Sequence, residues 1–326
     1  MFFIFMKAFQ WLFILFSQVA ILVGFWMWNH INHPMGNLLT GDISGQFLAY
    51  GRLTGLLAAF GILLQIILAG RVKWVERTFG LDRLLQLHHV VGFGILAFLV
   101  AHPLLLVAGH SMQAGVTQRE QWIDFLKNWP GVFAASAGFI LMLFSFFFCL
   151  VIIRKRLRFE TWYLTHWIFY IAIALAFSHQ LLSGSDFTDN RYFAMYWKIL
   201  YLFTFGNLIF YRVMRPIGFT LKHRFYVSRV VRETEDVCSV YIGGRNMNAF
   251  PVEAGQFMIV RFFAPGFRLE AHPFSVSCTP EGSSIRLTIK ALGDYPRKFP
   301  VLNRGPRVYI DGPRGGFPLK KPVSPK

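Results

Sequence analysis

Six apolar runs, each close to the length needed to cross a lipid bilayer, constrain this chain more than any other feature. A helix needs about 20 apolar residues to span the hydrocarbon core, and a segment in lipid must satisfy its backbone hydrogen bonds internally. With 55% of the 326 residues hydrophobic, we predict a membrane α-helical bundle of six transmembrane helices in a lipid bilayer. The first run lacks a small-residue cleavage site, so we interpret it as an anchor helix and not as a secretory signal. The runs occupy residues 9–28, 47–69, 86–108, 131–153, 163–182 and 195–214.

The charges between the runs predict an orientation. Connections 71–83 and 154–158 each contain four lysines and arginines, whereas 29–45 contains none and 183–192 contains one. Because cytoplasmic loops are enriched in these residues, we expect a multi-pass protein of the plasma (cell inner) membrane with its N-terminus and its C-terminal region in the cytoplasm. The same layout accounts for the net charge of +17. Since no nucleic-acid recognition motif is present, we expect no nucleic-acid partner.

The three cysteines show no C-x-x-C spacing. This argues against an iron–sulfur cluster, a structural zinc site and a disulfide framework. Cys149 lies inside an apolar run, and we interpret it as a packing residue.

The pattern changes after Arg215-Pro216. Short β-branched or aromatic segments replace the long apolar runs, and glycine, proline, aspartate and asparagine separate them. Several short strands at this spacing are typical of a small antiparallel β-barrel or sandwich. We therefore predict a membrane domain at residues 1–215 and a β-rich domain at residues 216–326. The predicted strands are 225–231, 237–242, 256–263, 285–290 and 307–310.

Four histidines lie inside two of the predicted helices. The third helix carries His88 near its cytoplasmic end and His102 near its outer end, and the fifth carries His166 and His179 in the same way. On an ideal helix His88 and His102 are about 21 Å apart and only about 40° out of phase, which favours His88 over its neighbour His89. Since His166 and His179 are about 140° out of phase, a common face requires a π-bulge or local unwinding.

The two helices run in the same direction, so His88 lies at the depth of His166, and His102 at the depth of His179. Two neutral imidazoles facing each other are a natural axial pair for a b-type haem, which needs no covalent cysteine attachment. Two haems at different depths would form a transmembrane path for electrons. The alternative is that these are helix-packing histidines bonded to neighbouring serines or threonines, although ionisable residues inside membranes are usually functional. His30 and His33 lie outside the predicted helices and are interpreted as ordinary solvated residues, and His110 is interpreted as an ordinary residue of the outer loop.

The sequence GLDRLLQLH at residues 80–88, followed by His102-Pro103, His166 and His179, resembles the ferric reductase / NADPH oxidase transmembrane family. The resemblance implies that the four histidines ligate two haem b groups. It also implies a membrane oxidoreductase that moves electrons to an external acceptor, which is a ferric chelate, oxygen or a redox protein. Superoxide-producing members often carry another histidine one turn after the outer ligand. This chain has Leu106 there, which favours ferric-chelate reduction over oxygen reduction.

Arg52 begins the second helix on its outer side. One reading is an arginine whose side chain reaches the membrane interface. The other is a charge partner for a haem propionate, or for the acceptor, at the outer haem.

Residues 272–277 resemble the flavin-binding signature of the same family and of ferredoxin-reductase-type barrels. A proline-fixed extended turn followed by serine presents main-chain groups and a hydroxyl to an isoalloxazine edge, with an aromatic ring beside it. After a six-helix unit, this motif predicts that residues 216–326 form an FAD-binding β-barrel domain. The six residues are His272, Pro273, Phe274, Ser275, Val276 and Ser277.

A second stretch, residues 289–298, resembles the family's segment that approaches the flavin pyrophosphate. Lys290 and Arg297 would supply positive charge there, and Gly293 would allow close backbone approach. A basic β-turn on the barrel surface is the alternative. Pro296 stands where the family usually has threonine and offers neither a hydroxyl nor an N–H.

The family normally continues into a nicotinamide-nucleotide domain. No Gly-rich loop follows residues 311–315, which resemble the family's barrel-closing turn. We therefore expect NADPH or NADH to act indirectly, through a segment beyond this sequence or through a separate nucleotide-binding reductase. Two functions of other classes stay open: a non-catalytic electron-carrier subunit for an extracytoplasmic redox partner, and a transporter or channel with histidine relays.

Overall fold

The structure, a computed structural model, describes residues 2–32, 42–150, 159–253, 255–267, 270–277, 284–291, 299 and 302–315. Its helices are Phe2–Asn32, Ile43–Ala69, Lys73–Phe79, Leu81–Ala114, Gln118–Asn128, Val132–Cys149, Phe159–Ser183, Ser185–Thr188, Arg191–Ile209 and Arg215–His223, with a π-helical turn at Phe210–Met214 and a 3-10 turn at Met247–Ala249. Its strands are β1 (Tyr226–Arg232), β2 (Val237–Gly243), β3 (Phe257–Phe262), β4 (His272–Ser275), β5 (Ser284–Lys290) and β6 (Val308–Arg314).

Within the described ranges, six helices are long and apolar enough to cross a membrane. Large apolar side chains stay exposed on them, including Val90, Phe133 and Leu202 at 72%, 71% and 75%. Such a surface suits lipid and not water. The prediction of six transmembrane helices followed by a small antiparallel sheet domain is confirmed. In chain order the six membrane helices are Phe9–His30, Ile43–Ala69, Leu81–Ala114, Val132–Cys149, Leu164–Ser183 and Arg191–His223.

The chain divides into two compact units. The bundle unit consists of Phe9–Leu63 and Val91–Leu202, and the sheet unit consists of Met1–Ala8, Leu64–Val90 and Phe203–Lys326. Each unit has its own buried apolar cluster.

Aromatic side chains and small residues pack the bundle unit. Trp197 is fully buried in its core, and the Trp26 indole N–H donates to the carbonyl of Ala49 at 2.8 Å. The fourth and fifth membrane helices approach closely at Gly138. A Cβ at this position would lie only 2.7 Å from the carbonyl oxygen of Ala172. Small residues at helix crossings permit this approach in membranes.

The sheet unit contains two three-stranded antiparallel sheets, with strand orders β1-β2-β5 and β4-β3-β6. Isolated bridges between Tyr226 and Arg307 and between Val276 and Leu287 connect them. Alternate residues of β3 are buried, as expected of a strand with one face on a core. The cluster between the sheets includes side chains from both.

The fifth membrane helix is continuous from Phe159 to Ser183, so the predicted π-bulge or unwinding between His166 and His179 is wrong. The phase angle between two residues describes only the positions of their Cα atoms. The direction of an imidazole ring also depends on which side-chain rotamer it adopts, so no helix distortion is needed. The observed π-helical turn lies in the sixth membrane helix instead, at Phe210–Met214.

The sixth membrane helix also extends past the predicted change of pattern. It continues through Pro216 to His223, and β1 begins only at Tyr226. Proline is accommodated because it lies in the first turn of the helix Arg215–His223, where its missing N–H is not needed. The division into domains at residues 215 and 216 stays a prediction.

The connection 109–130 contains a helix that the sequence analysis did not predict. Gln118–Asn128 begins with a capping box, in which the Thr117 hydroxyl accepts from the Glu120 N–H and the Glu120 carboxylate accepts from the Thr117 N–H. The T-x-x-E pattern at residues 117–120 is the sequence signal for such a start.

His30 was predicted to be a solvated residue, and this is wrong. Its side chain is only 1% exposed, and its Nδ1 lies 2.8 Å from the carbonyl oxygen of Trp26. His33 lies outside the described residues.

Candidate functional site

Two of the predicted haem ligands face each other inside the bundle unit. The rings of His102, on the third membrane helix, and His179, on the fifth, have centroids 6.3 Å apart and planes inclined by 44°. Both line one cavity, whose space is about 1470 Å³ when the part open to solvent is included. Its walls are mostly apolar and include Ala58, Leu99 and Phe139.

Backbone carbonyls determine which nitrogen of each ring is available to a metal. Nδ1 of His102 lies 2.7 Å from the carbonyl oxygen of Gly51, and Nδ1 of His179 lies 2.5 Å from that of Ala176. A carbonyl oxygen can only accept, so each Nδ1 carries the proton and donates it. The lone pair is then on Nε2, as in metal-binding histidines whose other N–H is held by a carbonyl.

This arrangement fits a metal ion held axially between two imidazoles. With metal–nitrogen bonds of about 2 Å, the centroids of two axial rings lie about 6 Å apart, and the observed separation is 6.3 Å. Throughout the described part of the chain, no three or more His, Cys, Asp or Glu side chains cluster to hold a metal ion. Two histidines at one site are the ligand set that a haem requires when a macrocycle supplies the other four bonds.

Arg52 and His110 line the same cavity. The prediction that His110 lies in an outer loop is wrong, since it belongs to the helix Leu81–Ala114. Its ring packs edge-on against Phe125 and Trp129, with centroids 5.3 and 5.2 Å away. Phe125 lies on the helix Gln118–Asn128, which begins with a capping box. The capping-box pattern in the sequence could have predicted this helix, and with it a partner for His110.

Of the predicted inner ligands, His88 belongs to the sheet unit and His166 belongs to the bundle unit. His88 is half-buried and its carbonyl accepts from the Gln65 amide at 2.9 Å, whereas its neighbour His89 is exposed. Nδ1 of His166 lies 3.6 Å from Sγ of Cys149. Cys149, interpreted from sequence as a packing residue, therefore contacts a predicted ligand.

The predicted flavin signature forms β4, at the edge of its sheet. Pro273 and Ser275 are exposed, whereas Phe274 is half-buried and packs against the core of the sheet unit. Proline is tolerated on an edge strand because no ladder hydrogen bond needs its N–H. His272 pairs with Glu270 at 3.2 Å. The exposed face of the motif is therefore formed by Pro273 and Ser275.

Val276 and Ser277 join this edge to the other sheet. Val276 is buried and bridges to Leu287. The Ser277 N–H donates to the carbonyl of Arg286 at 3.0 Å, and its Oγ accepts from the Thr288 N–H at 2.7 Å. The hydroxyl thus holds the junction and still has a proton to donate.

The predicted pyrophosphate segment is described only at its start. Lys290 ends β5, and its Nζ lies 3.6 Å from Oδ2 of Asp236, with both side chains more than half exposed. Gly293, Arg297 and Pro296 lie outside the described residues.

Residues 311–314 belong to strand β6 and do not form the turn that the resemblance suggested. They take part in an ion network of the sheet unit that sequence reasoning missed. Arg314 donates to Asp311 and, at 3.0 Å, to Glu76, and Arg71 donates to Asp311 at 2.6 Å. The Arg314 side chain is only 1% exposed, and the Gly315 N–H adds a bond to Glu76 at 3.3 Å. Arg71 and Asp311 are 240 residues apart in the sequence. No local sequence pattern could therefore predict that they form an ion pair.

Burial, followed by the charges of Arg212 and Arg314, lowers the pKa of Arg71 to about 10, although Asp311 opposes these effects. Arg71 therefore remains protonated near neutral pH. Its guanidinium and that of Arg314 balance the carboxylates of Glu76 and Asp311.

Two family matches cover most of the helices and the sheets. Residues 54–177 match the family described as ferric reductase like transmembrane component. Residues 222–316 match a family of FAD-binding domains. No curated protein matches the chain.

Three solved structures show weak similarity. An NADH-dependent reduced ferredoxin-NADP oxidoreductase is 23% identical over 27% of this chain and 31% of its own, with a TM-score of 0.23. The cytochrome b5 reductase domain of Ulva prolifera nitrate reductase is 15% identical over 29% and 41%, with a TM-score of 0.25. A flavohemoglobin from Malassezia yamatoensis is 15% identical over 85% and 65%, with a TM-score of 0.29. The chain thus spans less than two thirds of the length of each.

The transmembrane match includes His88, His102 and His166 and ends two residues before His179. The FAD-binding match includes all six strands. Residues 54–177 therefore belong to the ferric reductase like transmembrane component family and residues 222–316 to a family of FAD-binding domains, an arrangement that matches the ferric reductase / NADPH oxidase family.

Proposed function

We propose that this protein is a transmembrane flavocytochrome b that moves electrons from reduced FAD on the cytoplasmic side, through two b haems, to an external acceptor. The pair formed by His102 and His179 carries the proposal. Their rings are 6.3 Å apart, and both Nδ1 atoms are held by carbonyls. If these histidines only packed helices together, there would be no reason for both to line one cavity with an Nε2 lone pair available to a metal.

In this proposal Nε2 of His102 and Nε2 of His179 hold the outer haem. Haem supplies one-electron transfer, and FAD supplies a reservoir of two electrons. Arg52, at the same cavity, would neutralise a propionate. The mostly apolar walls offer few hydrogen bonds to water and so would favour a fixed ligand geometry over exchange with solvent.

His88 and His166 are proposed to hold the inner haem. The phase of His88 relative to His102 supports this choice. So does the greater burial of His88 compared with His89. The proposed depths follow from the order of the histidines along two helices that run in the same direction.

A ferric chelate is the first acceptor we propose, and oxygen is the second. Leu106, one turn after His102, lines the cavity and offers no hydrogen bond to a small acceptor such as oxygen. The charge asymmetry of the connections supports the cytoplasmic placement of the FAD-binding domain. NADPH or NADH would supply the electrons that reduce FAD.

The haem content of the purified protein tests this function. We expect two b haems for each FAD, measured as pyridine haemochrome and extracted flavin, and a low-spin spectrum that reduces fully with dithionite. A protein that contains FAD but no haem would refute the proposal and favour a transporter with histidine relays. A reduced protein that transfers no electrons to ferric chelates or oxygen would favour the electron-carrier subunit.

Ser275→Ala tests the proposed flavin contact. We expect FAD affinity to fall by about two- to tenfold, because one hydrogen bond contributes about 0.5–1.5 kcal/mol. Flavin fluorescence during titration of the FAD-depleted protein measures this change. Ser228→Ala is the matched control, since the Ser228 hydroxyl bonds the Tyr241 carbonyl at 3.0 Å within the other sheet. Equal affinities for the two variants would contradict a role for the Ser275 hydroxyl.

A further inference from the structure

The second membrane helix supports the His102 ring with a single turn. The Gly51 carbonyl oxygen accepts from Nδ1 of His102 at 2.7 Å and also from the Thr54 hydroxyl at 2.9 Å. The same hydroxyl lies 2.9 Å from the Tyr50 carbonyl oxygen. The carbonyl that orients His102 is thus shared with a side-chain donor.

Gly55, one turn after Gly51, makes room for the ring. A Cβ on Gly55 would lie 2.5 Å from Nδ1 and 2.6 Å from Cε1 of His102. These separations are far below van der Waals contact. Any other residue at position 55 would therefore force the imidazole out of its observed position, which is defined by its contacts with Gly51 and His179.

We infer that Gly51, Thr54 and Gly55 form a cradle that sets the direction and the basicity of His102, and through it the reduction potential of the outer haem. This inference rests on the proposed function. Gly55 and Gly51 set the orientation of the His102 ring. Gly55 leaves space for the ring, and the Gly51 carbonyl accepts the hydrogen bond from its Nδ1. Thr54 acts on basicity, because a second donor on the Gly51 oxygen weakens the bond from Nδ1–H.

The sign of the Thr54 effect follows from the ligand. A stronger Nδ1–H···O bond makes an imidazole a better electron donor, and a better donor stabilises the ferric form over the ferrous form. Thr54 therefore holds the outer potential above the value that an unshared Gly51 carbonyl would give. Gly51, Thr54 and Gly55 are positioning residues, since each acts through His102.

Gly55→Ala tests direction. We expect about half of the b-haem absorbance to be lost while FAD content is unchanged, because the outer haem loses a correctly placed ligand. Gly24→Ala is the matched control: it adds the same methyl to a membrane helix at a position where the new Cβ has no heavy atom within 4 Å apart from the adjacent residues and backbone of its own helix. Gly55→Ala protein that keeps two haems with an unaltered low-spin spectrum would overturn this part of the inference.

Thr54→Val tests the effect on the basicity of His102, because valine has nearly the same shape as threonine but no hydroxyl. We expect the ratio of ferric to ferrous outer haem at a fixed potential to rise about threefold, which corresponds to a downward shift of about 28 mV. Thr54→Ser keeps the hydroxyl and should restore the wild-type value. Spectroelectrochemical titration resolves the two haems, and an unchanged outer potential in Thr54→Val would contradict the role of Thr54.

The two levels of hypothesis fail differently. A wild-type protein without two haems would remove the proposed function itself. Two haems in the wild type, with unchanged haem content in Gly55→Ala and unchanged potentials in Thr54→Val, would leave the function intact and reject the cradle.

Discussion

His179→Ala is expected to lose about half of the reducible b-haem absorbance and to retain its FAD, and His102→Ala is expected to do the same. The reason is geometric: the two rings line one cavity with their centroids 6.3 Å apart, so either substitution removes one of the two proposed ligands of the outer haem. Electron transfer to an external ferric chelate should fall to the background rate, since the outer haem is the last carrier in the proposed path. Haem extraction, flavin extraction and chelate reduction measure the three quantities.

His89→Ala is the control for this experiment. His89 lies next to the proposed inner ligand His88, but it is exposed, and its Nδ1 lies 3.1 Å from the carbonyl of Leu85 on its own helix. We expect His89→Ala to keep both haems, whereas His88→Ala should lose one. Full haem retention in both His102→Ala and His179→Ala would refute the outer pair.

Arg314→Met should destabilise the sheet unit by about 3–5 kcal/mol, the range measured when one partner of a buried ion pair is removed. Arg314 is 1% exposed and bonds both Asp311 and Glu76, whose side chains are 9% and 10% exposed. Asp311 would keep Arg71 at 2.6 Å, so the larger penalty falls on Glu76. The temperature at which FAD is released and the urea midpoint of the sheet unit would both fall.

Two further variants separate a lost ion pair from a lost side chain. Arg307→Met removes an exposed arginine just before β6 and should change stability by less than about 0.5 kcal/mol. Glu76→Gln in the Arg314→Met background should recover part of the loss, because it removes the unbalanced carboxylate. Equal stability of Arg314→Met and Arg307→Met would show that the network contributes nothing.

Helix positions and strands followed from local pattern. Apolar length predicted the six membrane helices, and short β-branched segments predicted five of the six strands. The sixth, β4, coincides with the flavin signature at residues 272–277. The pattern after Pro216 was misread because a proline at the first turn of a helix is compatible with its continuation, as the helix Arg215–His223 shows.

The helical phase angle of a histidine predicted its pairing less well than its position along the helix. An ideal-helix angle of about 140° between His166 and His179 predicted an irregularity, but the fifth helix is continuous. Depth depends only on the number of residues along a helix, whereas the direction of a ring also depends on its rotamer and on neighbouring helices. His179 faces His102 although the phase argument required a distortion.

The sequence alone determined the membrane class, the number of spans, the order of the two family regions and the four histidines as candidate ligands, because these depend on hydrophobic length, local period and residue type. Tertiary structure decided which nitrogen His102 presents, since the acceptor for its Nδ1–H is the Gly51 carbonyl on another helix. It also decided that His30 is buried, that His110 lines the cavity and that Arg314 joins Glu76 to Asp311. Burial and hydrogen bonding across distant segments are properties of packing, and no local period in the sequence records them.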